Sequence, residues 1–187
     1  MGRIEQLAEI YSKHISTPWQ TTVSGAERVI MVVYDPELER PLRTRRSHFD
    51  HKTREAGYEW FEVDLTGTFA TWMAADEYRD AYFEAPDDLK VKLERDFPEV
   101  VARQVRDALA RPEAGDRSVV ALLGVGALFG FTRVSELLKR VEGDIRGRLV
   151  VFFPGTYETR AYRLFDAREG WDYLAVPITL QAGGDAT

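Results

Sequence analysis

SVVALLGVGALFGFTRVSELLKRVEGDIRGRLVVFF, residues 118–153, reads as strand, glycine turn, amphipathic helix and strand in immediate succession. Residues 118–123 form an apolar, β-branched run, as a strand buried on both faces does. A turn over 124–130 and a helix over 132–142 lead into a second buried strand over 148–153. This is the clearest βαβ unit in the chain and predicts a parallel pairing.

Working outward, 28–34 (RVIMVVY) is a continuous apolar strand of the same kind. Asp35-Pro36 ends it, since Asp can cap a helix and Pro suits the first helical position. Pro41 is expected to interrupt that helix. Ser47 with Asp50 resembles a second helix start, and Gly57 a stop. Residues 58–65 form the next strand, after which Thr66 is expected to cap a helix carrying Phe69, Trp72 and Met73. The gap of about two dozen residues between the first two strands permits a parallel crossover.

Asp87 is expected to cap a long helix with a Leu89, Leu93, Phe97, Val101, Val105, Leu109 ladder, kinked or split at Pro98. Near the N-terminus, Ile4, Leu7, Ala8 and Tyr11 mark an amphipathic helix. Residues 154–170 read as a long polar, aromatic loop, and 171–178 as a final strand. The whole predicts one α/β domain over 1–180: a mostly parallel sheet of about five strands, helices on both faces, Rossmann-like or P-loop-like in three layers but without a working P-loop. The Gly-rich tail, 181–187, is expected to fray.

A chain of 187 residues suits one domain of ordinary size. It has no cysteine, which excludes disulfides, thiol nucleophiles and Cys-ligated zinc together. The start MGRIEQL has no apolar signal core, and no run approaches the roughly 20 apolar residues of a membrane span. A cytoplasmic location with no membrane contact is expected. The net charge of −6 argues against a generic nucleic-acid binder.

Gly124-Val125-Gly126-Ala127-Leu128-Phe129-Gly130-Phe131-Thr132 is placed as a phosphate loop would be, between strand and helix. Its spacing is wrong for a Walker loop: Phe129 stands where the second glycine belongs, and Phe131 occupies the place before Thr132 where lysine should be. A tight turn with Leu128, Phe129 and Phe131 packed is one reading, a degenerate nucleotide site the other. Asp35 and Asp64 fall at strand C-termini, where open α/β sheets bind ligands. With Gly124 and Gly126 they form a candidate crevice for a metal or for acid–base work. Equally, each Asp simply begins the next turn.

His48 and His51 sit among Arg45, Arg46 and Lys52, a setting that opposes metal binding. Residues 43–52 read as a solvated basic face or a contact for an acidic partner or phosphate backbone. No Gly-x-Ser-x-Gly elbow is present. Tyr78, Tyr82 and Phe83 read as core or interface. Tyr157, Tyr162, Arg163, Arg168 and Trp171 give the 154–170 region the composition of a binding hot spot, and form the candidate partner interface. No catalytic set, metal site or cofactor is legible.

The ordered segments RVIMVVYDPELERPLR (28–43), DEYRDAYFEAPDDL (76–89), VVALLGVGALFGFTRVSELL (119–138), RGRLVVFFPGTYE (146–158) and YRLFDAREGWDYLAVPI (162–178) resemble the BrxB family of bacterial BREX anti-phage defence systems. The resemblance runs through nearly the whole chain. One departure is visible: Thr159-Arg160-Ala161 and Asp172 stand where the family tends to have Asn. The resemblance implies a small, non-enzymatic adaptor subunit that docks on a PglZ-like partner and has no catalytic residue to carry over. The rival expectation is a nucleotide- or metal-dependent enzyme or regulator using the strand-end crevice. Direct DNA contact through Arg43, Arg45, Arg46 and Lys52 is a third, less favoured expectation.

Overall fold

The computed structural model describes residues 1–180; the tail expected to fray, 181–187, lies outside the described residues. Helix α1 (Arg3–Ile15) presents Ile4, Leu7, Ala8, Tyr11 and Ile15 on one buried stripe, the face its periodicity predicts. Strand β1 (Val29–Tyr34) is buried along its length. After it, Asp35 Oδ1 accepts from the Glu37 amide at 3.0 Å and caps a single 3₁₀ turn, Pro36–Leu38.

Helix α2 (Glu39–Arg45) follows and contains Pro41 without interruption. Pro41 is the third residue of α2, in the first turn, where no intrahelical partner awaits an N–H. Helix α3 (Ser47–Glu55) begins without a side-chain cap, contrary to the Ser47 expectation. It ends before Gly57, whose φ of 88° is the left-handed stop expected there.

Strand β2 (Glu59–Asp64) leads to α4 (Thr68–Ala74), which Thr66 does not cap, because its hydroxyl donates to Asp64 instead. Short α5 (Arg79–Glu84) and α6 (Leu89–Arg95) have no buried residue, and α6 is not capped by a side chain from Asp87 or Asp88. Helix α7 (Phe97–Leu109) is the second piece of the ladder and holds Pro98 in its first turn. Strand β3 (Ser118–Leu123), a 3₁₀ turn (Val125–Leu128), α8 (Val134–Val141) and β4 (Arg148–Glu158) realise the predicted βαβ unit. Then come β5 (Ala161–Leu164), β6 (Trp171–Asp172) and β7 (Val176–Ile178).

The α/β class holds, and the parallel expectation holds in part, because the sheet is mixed. Its main path runs β2-β3-β4-β1-β7 with parallel ladders. Beyond Pro154, β4 continues into an antiparallel ribbon with β5 and β6. The supposed loop 154–170 is therefore largely hairpin, and the final strand is two separate pieces. The order also departs from the doubly wound 3-2-1-4-5-6 pattern: β1 lies between β4 and β7, while β2 is an outer edge.

Two cores lie on opposite faces of the sheet, and alternation along β1 feeds both. Val29, Met31 and Val33 join α7, α8 and the ribbon, while Ile30, Val32 and Tyr34 join α1, α2 and α3. Each such side chain contributes about 1.5–3 kcal/mol on burial. At the N-terminal edge Trp19 stacks on Tyr58 with ring centroids 3.7 Å apart. Arg148 covers Trp19, and Arg117 covers Tyr58. This cation–aromatic stack brings residues from before β1 onto that end of the sheet. The opposite, C-terminal edge carries Asp35, Asp64 and the Gly124 turn.

Candidate functional site

Asp64 ends β2 with its carboxylate already engaged. Oδ1 accepts from the Thr66 amide at 3.0 Å and from the Thr66 hydroxyl at 2.6 Å, and Oδ2 accepts from Arg43 at 3.0 Å. The same guanidinium donates to Thr66 Oγ1 at 2.7 Å and to Glu39 Oε1 at 2.8 Å, and the other Glu39 oxygen accepts from the Tyr34 hydroxyl. Burial opposes the Asp64 charge, but the Thr66 bonds and Arg43 outweigh it and hold the pKa below the usual carboxylate range. The cation missing from the glycine turn is thus present at the edge, brought by α2, and saturated by the protein's own carboxylates.

Asp35 does not join Asp64. Strands β3 and β4 stand between β1 and β2, and three inter-strand steps amount to about 14 Å. Oxygen ligands of one cation must lie within about 2.6 Å of it. One metal cannot bridge that gap with these two carboxylates. Among the described residues there is no group of three or more His, Asp or Glu that could hold a metal.

The glycines serve close packing. Gly124 adopts φ 76°, and a Cβ there would fall 2.7 Å from the Thr66 nitrogen and 2.8 Å from Asp64 Oδ1. The structure therefore brings Gly124 and Asp64 together, but with a carboxylate against the turn where a phosphate cradle would need an anion's place. A Cβ at Gly126 would meet Phe165 Cζ at 2.7 Å and Pro154 Cγ at 3.4 Å. Gly126 is roofed by an aromatic ring instead of facing a ligand, which corrects its assignment to the crevice.

The expected partner interface divides. Tyr162 is fully buried, its hydroxyl donating to the Ala175 carbonyl at 3.0 Å and its pKa pushed up by that burial. It cannot meet a partner, and its place in the interface is corrected to support beneath the ribbon. Trp171 packs edge-on to Phe153 and against Tyr162. Arg163 donates to the carbonyls of Ala167 and Arg168, both at 3.2 Å, and clamps the loop after β5. Tyr157 packs against Tyr162 across the hairpin, with ring centroids 4.6 Å apart, and also lines a hollow of about 220 Å³ with Arg3, Tyr34 and Asp35.

Arg168 and Trp171 remain together, on one wall of a groove of about 550 Å³. Its other wall is the end of the glycine turn and the start of α8, including Phe129, Phe131 and Arg133. Phe129 is 49% exposed and Phe131 36%, whereas Leu128 is buried, so only part of the packing expectation holds. Phe131 stacks on Phe69 at 4.2 Å and Phe129 meets Phe165 edge-on. The signal for this wall was present in the sequence as two phenylalanines flanking Gly130, which adopts φ 82° and turns the chain sharply.

The basic stretch 43–52 is consumed internally. Arg45 pairs with Glu5, Arg46 with Glu62, and Lys52 with Glu9 and Glu55. His51 lies 3.2 Å from Glu55. Of the aromatic trio, Tyr78 and Phe83 are exposed, which excludes the core reading for these two. No helix among the described residues is long and apolar enough to cross a membrane.

A family model described as BREX protein BrxB matches residues 62–178. The chain belongs to the BrxB family. The matched segment runs from within β2 to the end of β7, so it takes in the glycine turn, α8, the ribbon and both walls of the larger groove. As a BrxB protein the chain is a component of a BREX anti-phage system, with other BREX components as its partners. No curated protein and no solved structure matches it.

Proposed function

We propose that this BrxB protein is a non-enzymatic adaptor that docks on a PglZ-like BREX subunit through the groove between the glycine turn and the ribbon loop. The observation carrying this reading is a contrast in side-chain commitment. At the sheet's C-terminal edge, Asp64, Arg43, Glu39 and Thr66 satisfy one another. At the groove, Phe129, Arg133 and Arg168 are exposed, and aromatic and arginine side chains are the types enriched at binding hot spots.

Co-purification of the PglZ-like subunit with the tagged chain tests the reading. Wild type is expected to retain it, and Phe129→Ser and Arg168→Ala to retain less. Absence of the subunit with wild type would defeat the adaptor role. Equal retention by both variants would move the interface elsewhere. Catalysis is tested separately by thermal shift with ATP, GTP, S-adenosylmethionine and Mn²⁺. A ligand at 100 times its Kd stabilises by about 2.7 kcal/mol, so a clear shift with any of them would favour a catalytic or regulatory crevice.

A further inference from the structure

The groove has a chemical preference that the adaptor role alone does not specify. Phe129, Phe131, Leu164 and Trp171 line it with apolar surface. Arg133 stands on one wall and Arg168 on the other. The ion pairs of the neighbouring α8 use Arg140, with Glu99 and Glu136, and leave Arg133 out. Neither Arg133 nor Arg168 has a carboxylate partner among the described residues, unlike the cations of 43–52. Glu169 is the one acid in the lining, so the groove is positive in a chain whose net charge is −6.

We infer that this groove receives an acidic segment of another BREX protein, anchored by an aromatic or aliphatic side chain between Phe129 and Trp171. Two arginines lining one apolar groove suit two carboxylates flanking an apolar anchor, because arginine binds carboxylate bidentately. A basic segment would meet two unneutralised like charges. The groove's volume lies within the range of ordinary binding pockets. Its loop wall is pre-formed, since Arg163 fastens the Ala167 and Arg168 carbonyls, and a pre-formed wall lowers the ordering cost of binding.

The inference rests on the docking role, so its test separates the two. Fluorescein-labelled Asp-Asp-Phe-Glu-Glu-Leu and its twin Lys-Lys-Phe-Lys-Lys-Leu are titrated with the full chain and followed by anisotropy. The acidic peptide is expected to bind at least tenfold more tightly, and to weaken as salt rises. Arg133→Glu with Arg168→Glu should abolish that preference, while Ile10→Ser, exposed on α1 across the sheet from the groove, leaves it intact. Equal binding of the two peptides, or an unaltered preference in the double variant, would overturn the inference whatever the co-purification shows.

The same double variant is then tested with the PglZ-like subunit. Loss of at least tenfold in co-purification supports the inference. Full retention when wild type also binds overturns the groove's role and leaves the adaptor reading standing. Residues 77–88 of this chain are themselves acidic and aromatic. Sedimentation velocity therefore follows wild type and the double variant: a self-association lost in the variant would make a second copy the occupant and overturn the inference.

Discussion

Arg43 joins three groups, and its neighbours show how a ligand-binding edge can be filled from within. Its guanidinium spans Glu39, Asp64 and Thr66. Because Asp64 has a depressed pKa in the fold, it contributes stability above its unfolded value of about 3.9 and loses it as pH falls through the folded value. Asp64→Asn is therefore expected to be less stable than wild type at neutral pH, with the difference shrinking below about pH 4. Urea midpoints across that range read the effect. Gly124→Ala should cost more than Gly126→Ala, because the first combines positive φ with a backbone clash at Thr66, while the second meets the far end of Phe165. We expect losses of about 2–3 and about 1 kcal/mol respectively, by urea unfolding.

Among the elements, the ribbon was hidden from sequence reading. Its two-residue turn places Thr159 at φ 52° and Arg160 at φ 63°, the left-handed pair that a type I′ hairpin requires and that Asn-Gly normally marks. Thr-Arg carries no such mark, so a hairpin resembled a loop. Thr159→Asn with Arg160→Gly should stabilise the protein by about 1 kcal/mol by relieving that strain, measured as a raised urea midpoint. Helices α5 and α6 lie at the other extreme. They have six and seven residues and bury none, and helices this short are marginal in water without tertiary packing. Hydrogen exchange should find their amides the least protected of the helices and those of β1, β3 and β4 the most.

For the whole molecule, partner binding should appear as stability. The purified complex with a PglZ-like subunit is expected to unfold at a higher temperature than the isolated chain, the rise growing with partner concentration. Local pattern was enough to place β1, β3, the first half of β4, α1, α7, α8 and the βαβ unit. Continuous apolar runs require two covered faces, and helical periodicity requires one. The same pattern supplied Arg168 and Trp171 for the groove, but not their union with Phe129 and Arg133.

What the residues determined by themselves was class and composition: alternating apolar strands and amphipathic helices, no thiol chemistry, and a glycine turn without a Walker lysine. What only the tertiary structure decided was adjacency. The strand order sets Asp35 and Asp64 about three strand spacings, or roughly 14 Å, apart. It also lets α2 deliver Arg43 to Asp64 across 21 positions of chain, and seats Phe165 over Gly126. Propensity and periodicity act within a few residues, whereas these contacts follow from how two cores close on one sheet.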